Sequence, residues 1–234
     1  MISVIRQNFW KQFCQYGYEK EFQKKGKCAY RIYYDIVQGF ELFKQPRSPL
    51  VTVRWSIYPL CQPDANFYTD FYQKYDINDI IGKSTFDVYY NKLDPHSAIE
   101  CADKVSRQVE EVLLPYFDSI KGSAMAYDAY VKMDFSKGGE DYPCMEKIYF
   151  ALKSEMYEKA YQYVSRIIEN NEQAVKNNAQ YFSEEQMEQM RKKFEKKDKE
   201  LQDLAEYIQY EERSTIQRQL KRNEEDAYRF LRKH

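Results

Sequence analysis

At 234 residues the chain is long enough for one or two domains with a real core. Hydrophobic residues make up 43% of it and charged residues 31%, a balance that separates it from disordered and membrane-spanning classes. With 36 basic against 37 acidic side chains the net charge is −1, so the cationic excess that binds a phosphate backbone is missing and nucleic acid is not an expected partner.

Only 7 Gly and 7 Pro interrupt the chain, which favours long helices. The 23 tyrosines have two readings: a codon-biased genome, or a Tyr-rich contact surface, since Tyr supplies rigid binding area at little entropic cost. Cys14, Cys28, Cys61, Cys101 and Cys144 are scattered and odd in number, and with His96 and His234 as the only histidines no zinc spacing exists. Reduced thiols of this kind lead to the expectation of a cytoplasmic protein. The N-terminus reaches Arg6 and Gln7 too early for a signal peptide, and no apolar run approaches the ~18 residues of a membrane span.

In chain order, Ile2, Ile5, Phe9, Trp10 and Phe13 recur at spacings of three and four, which predicts a short amphipathic helix ended by Gly17. Past Lys24-Lys25-Gly26-Lys27 the period drops to two. Over Ala29–Val37, Ile32, Tyr34 and Ile36 fall on one face, and Arg31, Tyr33 and Asp35 on the other. Residues 38–44 continue the strand pattern, and Pro46 and Pro49 force a loop. Leu50–Leu60 is the clearest strand, with Val51, Val53, Trp55 and Ile57 alternating against Thr52, Arg54, Ser56 and Tyr58.

Residues 64–81 read as irregular with one helical turn, and Phe86–Tyr90 as a short closing strand. Asp94 is a good N-cap for a helix to Ile120, with Pro95 in its first position; Ile99, Ala102, Val105, Val109, Val112 and Leu113 form the face laid on the sheet, and Pro115 predicts an interruption. Lys121–Ser123 and Ser136–Pro143 read as linkers around a short helix carrying Met125, Tyr127, Tyr130 and Met133. A helical pair follows, Cys144–Asn170, with an Ala151-Leu-x-x-x-Met-Tyr-x-Lys-Ala160 segment similar to half of a tetratricopeptide repeat; a single copy makes no solenoid.

The segment 183–234 holds 13 acidic and 13 basic side chains without Gly or Pro, and opens on a Ser183…Gln186 capping box. Met187, Met190, Phe194, Leu201, Leu204 and Ile208 occupy a/d positions, and the register shifts after Ile208. An unbroken helix here would run roughly 75 Å at 1.5 Å per residue. Either it folds back near Glu211–Thr215 or its seam pairs with a second copy.

The expected architecture is thus α+β: an N-terminal helix, a three- to four-stranded antiparallel sheet covered by a helix, then a helical C-terminal region. The expected divisions are 1–120, 121–182 and 183–234. The order of helix, Tyr16-Gly17-Tyr18, basic turn, Arg31, Val51-Thr-Val-Arg-Trp55, Tyr89-Tyr90 and Leu113-Leu-Pro-Tyr-Phe-Asp118 resembles the bacterial DUF4304 family of domains of unknown function over about residues 1–170. Tyr89-Tyr90 stands where that family tends to have paired tryptophans. The resemblance implies a small bacterial α+β domain of the kind that neutralises toxins or acts in phage conflict.

Three functional classes follow. The first is a non-enzymatic protein-binding module that occludes a partner such as a toxin or phage factor, with Arg31, Tyr33, Asp35, Arg54 and Tyr58 projecting together from the free sheet face. The second is an oligomerising scaffold or homodimer built on the Met187–Ile208 seam. The third is an enzyme using His96 as a base. The carboxylate pairs Glu110-Glu111 and Asp76 with Asp79 lack the surroundings of a metal loop, and Ser136-Lys-Gly-Gly-Glu lacks the end of a phosphate loop, so neither metal nor cofactor is expected.

Overall fold

The computed structural model describes residues 2–18, 21–25, 27–63, 75–81, 87–91, 93–133, 139–178, 181–210 and 212–232. The chain is α+β, as its periodicities predict. It divides into two compact units, residues 1–58 with 64–126, and residues 59–63 with 127–234.

The first unit opens with α1 (Ile2–Gln15), which buries Ile5, Phe9, Trp10 and Phe13. Gly17 ends it in the left-handed region (φ +81), with its N–H donating to the Cys14 carbonyl. The antiparallel sheet then builds from β1 (Gln23–Lys25), β2 (Cys28–Tyr33), β3 (Ile36–Lys44) and β4 (Leu50–Pro59), in that order. The far side of β4 carries two short strands, β5 (Tyr75–Asp76) and β6 (Val88–Tyr89). Six strands are thus present among the described residues where three or four were expected; β6 lies within the closing strand expected at Phe86–Tyr90, while β1 and β5 are too short for alternation to reveal. Between β5 and β6, α2 spans Ile77–Ile81. Residues 64–74 and Phe86, read above as irregular and as strand, lie outside the described residues.

The predicted helix to Ile120 forms in three pieces. Asp94 caps α3 (Pro95–Gln108), its carboxylate accepting from the His96 N–H at 2.9 Å. A π turn follows at Val109–Leu113, then α4 (Leu114–Ser119). The interruption expected at Pro115 takes this form: the N–H of Leu114 reaches back to the Val109 carbonyl, and the wider turn accommodates the proline ring one residue later. Ile99, expected on the buried face, is exposed instead.

One sheet face is closed by α1 and α4. Phe40 meets Phe9, Trp10 and Phe13, with ring centroids 5.6–6.3 Å away, and Trp55 meets Phe117 at 6.1 Å. The Gln38 amide, fully buried, donates to the Phe117 carbonyl at 2.6 Å and to that of Ile120 at 3.3 Å, so the end of α4 is tied to the middle of β3. The Phe117 carbonyl, which also accepts from the Ile120 N–H at 3.1 Å, and the Ile120 carbonyl thus both have partners at the helix end.

The second unit is helical. After α5 (Ser123–Met133), which crosses from one unit to the other, come a 3₁₀ turn at Gly139–Asp141, α6 (Met145–Lys153), α7 (Tyr157–Asn178), α8 (Glu184–Gln209) and α9 (Arg213–Arg232). The Ser183 capping box is present in both directions, at 3.0 and 3.3 Å. Helix α8 packs antiparallel on α7, with the Asn171 amide donating to Asp198 at 2.7 Å. The charged tail is therefore two helices, the first ending at Gln209 and the second starting at Arg213, and α9 contacts both α8 and α6. Among the described residues no helix is long and apolar enough to cross a membrane. All five cysteines are free thiols.

Candidate functional site

The five residues expected on one open sheet face do not share a face. Tyr34 and Asp35 are a two-residue turn rather than strand, with Tyr34 in the left-handed region (φ +56). Across this turn Arg31 pairs with Gln38 and Tyr33 with Ile36, which places Arg31 and Tyr33 on the face that α1 and α4 close. Arg54 and Tyr58 alternate with Trp55 and so belong to the other face. That face is also covered: Glu41, Thr52, Ser56 and Tyr58 are all buried.

Each of the five has an internal role or an internal place. Arg31, 6% exposed, is a hub. Its guanidinium lies 4.8 Å from the Phe22 ring and 4.6 Å from that of Tyr33, donates to Gln38 Oε1 at 2.8 Å and to Glu21 at 2.9 Å, and pairs with Asp118. Asp35 accepts from Ser123 and anchors the start of α5. The Arg54 guanidinium lies 3.3 Å over the Phe43 ring. The shared docking surface is therefore absent, because both faces of a sheet that alternates apolar with polar residues are buried.

The other expected features settle as structure. Met187, Leu201, Leu204 and Ile208 are buried and Met190 half-buried within this single chain; the Phe194 side chain lies outside the described residues. His96 stands exposed in the first turn of α3. Asp76 and Asp79 are turn ligands: Asp76 accepts from the Thr52 hydroxyl at 2.7 Å and from the Asn78 N–H at 3.0 Å, while Asp79 accepts from the Asp76 N–H at 2.8 Å. No group of three metal-ligating side chains occurs among the described residues.

A second polar centre escaped notice in the sequence. The Lys147 ammonium, fully buried, donates to the carbonyls of Gly139 at 2.7 Å and Tyr142 at 2.9 Å, with the Tyr142 and Tyr163 rings 5.5 and 5.9 Å away. The Tyr163 hydroxyl donates to the Glu140 carbonyl at 2.6 Å and meets that of Tyr127 at 2.8 Å. Burial pushes the Tyr163 phenol far above its ordinary value, so it stays protonated and holds the turn. Lys159 and Arg166 pair with Glu140 and Asp141 from outside. Lys147 and Tyr163 hold the 139–142 backbone from inside while Lys159 and Arg166 hold its acidic side chains, which makes the cluster a clamp on that turn.

A concavity lies in the second unit. At the corner where α8 gives way to α9, against the start of α7, Tyr157, Glu158, Tyr161, Ile208, Gln209, Arg213 and Ile216 enclose about 360 Å³. The floor is apolar, with Ile216 1% exposed and Ile208 9%. Tyr161 is 37% exposed, and Tyr210, the residue that caps α8, is 72% exposed next to it in sequence to Gln209. The Tyr157 hydroxyl accepts from the Gln217 amide at 3.0 Å, and the Arg213 guanidinium sits 5.3 Å from the Tyr157 ring. Tyr157 is fixed in place by these contacts. A signal for the corner was present in the sequence, since the heptad register breaks after Ile208, and a break in a seam is where two helices must part.

No family model, no curated protein and no solved structure matches this chain.

Proposed function

We propose that the chain is a non-enzymatic protein-binding module that occludes its partner, and that the partner docks on the helical corner of the second unit. The observation that carries this reading is the composition of that corner: a pre-formed concavity of about 360 Å³ with an apolar floor, walled by Tyr157, Tyr161 and Arg213. Tyr and Arg around a dry centre are the residues that dominate binding energy at protein interfaces. The cleft sits near the lower end of the roughly 300–1,000 Å³ typical of ligand sites, room for one or two side chains of a partner. The DUF4304 resemblance supplies the partner class, a toxin or phage factor.

The scaffold reading has less support, because Leu201, Leu204 and Ile208 are already buried without a second copy. The enzyme reading also has less support, since His96 is exposed and lines neither this cavity nor the smaller one between α7 and α8.

Photo-cross-linking tests the proposal. Benzoylphenylalanine installed at Tyr161 of the full chain should capture one defined polypeptide in cells, whereas the same group at Tyr34, exposed at the β2–β3 turn, should not. Equal capture at both positions, or none at Tyr161, contradicts it.

A further inference from the structure

Arg213 carries no ion pair among the described residues. Its guanidinium lies over the Tyr157 ring, 5.3 Å from the centroid. A contact of this kind uses none of the guanidinium N–H donors, and their fork geometry grips a carboxylate with two hydrogen bonds. The neighbouring Tyr157 oxygen is engaged as an acceptor by Gln217, which leaves the phenol proton to be donated. Ile208, Ile216 and the ring of Tyr161 supply the apolar part of the same lining.

One acid, Glu158, also lines the cavity. With Arg213 it makes the lining neutral in sum, so a run of acidic residues or a phosphate chain would be repelled at Glu158 as it is attracted at Arg213. A single carboxylate placed at Arg213 escapes that conflict. The complementary group is therefore one carboxylate attached to, or next to, a large apolar group.

Building on the docking proposal above, we infer that the corner cavity recognises a peptide segment in which an apolar side chain stands beside a carboxylate. The guanidinium edge of Arg213 binds the carboxylate, and Ile208, Ile216 and Tyr161 take up the apolar side chain. Glu158 limits the segment to a single acid.

The probes are 4-phenylbutyrate and its neutral amide, titrated into the full chain and followed by ligand-observed NMR. The carboxylate should bind about tenfold more tightly than the amide, as expected for one charge-assisted fork at a partly exposed site. Arg213→Gln should remove that preference, and Glu158→Gln should widen it. Both side chains are exposed, so neither variant disturbs the core. Equal binding of the two probes, a preference that survives Arg213→Gln, or no saturable binding of the carboxylate overturns the inference. If the carboxylate fails while Tyr161 still cross-links a partner, the docking proposal stands and its acidic chemistry falls. If the preference holds while Tyr161 cross-links nothing, the site takes small carboxylates and the docking proposal falls.

Discussion

Asp35 receives both hydrogen bonds that Ser123 has to give, the backbone N–H at 3.0 Å and the hydroxyl at 2.6 Å. A residue in the turn between β2 and β3 thereby caps a helix that begins almost ninety positions later. The preceding Gly122 has φ +98, and a Cβ there would stand 2.9 Å from Asp35 Oδ1. Loss of the cap by Asp35→Ala should cost about 1 kcal/mol. Gly122→Ala should cost about 2 kcal/mol, since it combines a strained backbone with a collision against the capping carboxylate. Urea unfolding of the two variants checks both.

Arg31 sets up an unequal series. Its side chain is 7% exposed, but those of Glu21 and Asp118 are 61% and 59% exposed, so each acid is held in solvent-screened surroundings. Glu21→Gln and Asp118→Asn should each cost under about 1 kcal/mol. Arg31→Ala should cost about 3 kcal/mol, because it removes a group packed between two rings and strips the buried Gln38 oxygen of its donor. Near-equal losses across the three would show that the ion pairs, not the packing, carry the site.

The seam of α8 behaves as core. Leu201→Ala and Leu204→Ala should each lower stability by about 2–5 kcal/mol, the usual result of deleting buried leucine atoms. The melting temperature of the unaltered chain should not depend on its concentration, since those side chains are covered without a second copy. A melting temperature that rises with concentration would show that the buried seam is shared between chains.

Two buried groups predict alkaline weakening. Burial pushes the Cys101 thiol from 9.0 up to about 11, and the Tyr116 phenol from 10.0 up to about 12. In both cases the folded state holds the proton more tightly than the unfolded chain. Stability is therefore intact below pH 9 and falls as pH rises, from 9 to about 11 through Cys101 and from 10 to about 12 through Tyr116. Cys101→Ala should flatten the part of the decline that begins at pH 9, measured by urea midpoints across that range.

Much of the fold was legible because it is local. The spacing of Ile5, Phe9 and Phe13, the cap at Asp94 and the capping box at Ser183 each act within a turn or two of chain. The error at the sheet was also local. Treating residues 29–37 as one strand carried the parity of Ile32 through to Ile36, whereas a turn at Tyr34-Asp35 reverses it. Tyr-Asp carries neither glycine nor asparagine, so nothing marked the left-handed position. The second error was about charge. Arg31 and Arg54 at alternate positions suggested solvent, but stacking on Phe22, Tyr33 and Phe43 lets a guanidinium lie against aromatic faces. The corner cavity was out of reach for a different reason, since it joins the start of α7 to the α8–α9 break, and only tertiary packing brings Tyr157 beside Arg213.

The claim at the centre is that a partner meets the helical corner and not the sheet. Amide hydrogen exchange of the full chain, with and without the polypeptide captured at Tyr161, tests it most directly. Exchange should slow around Tyr157–Tyr161 and Ile208–Ile216 while β2, β3 and β4 stay unchanged. Protection gathered on β2–β4, with the corner unaffected, would contradict it.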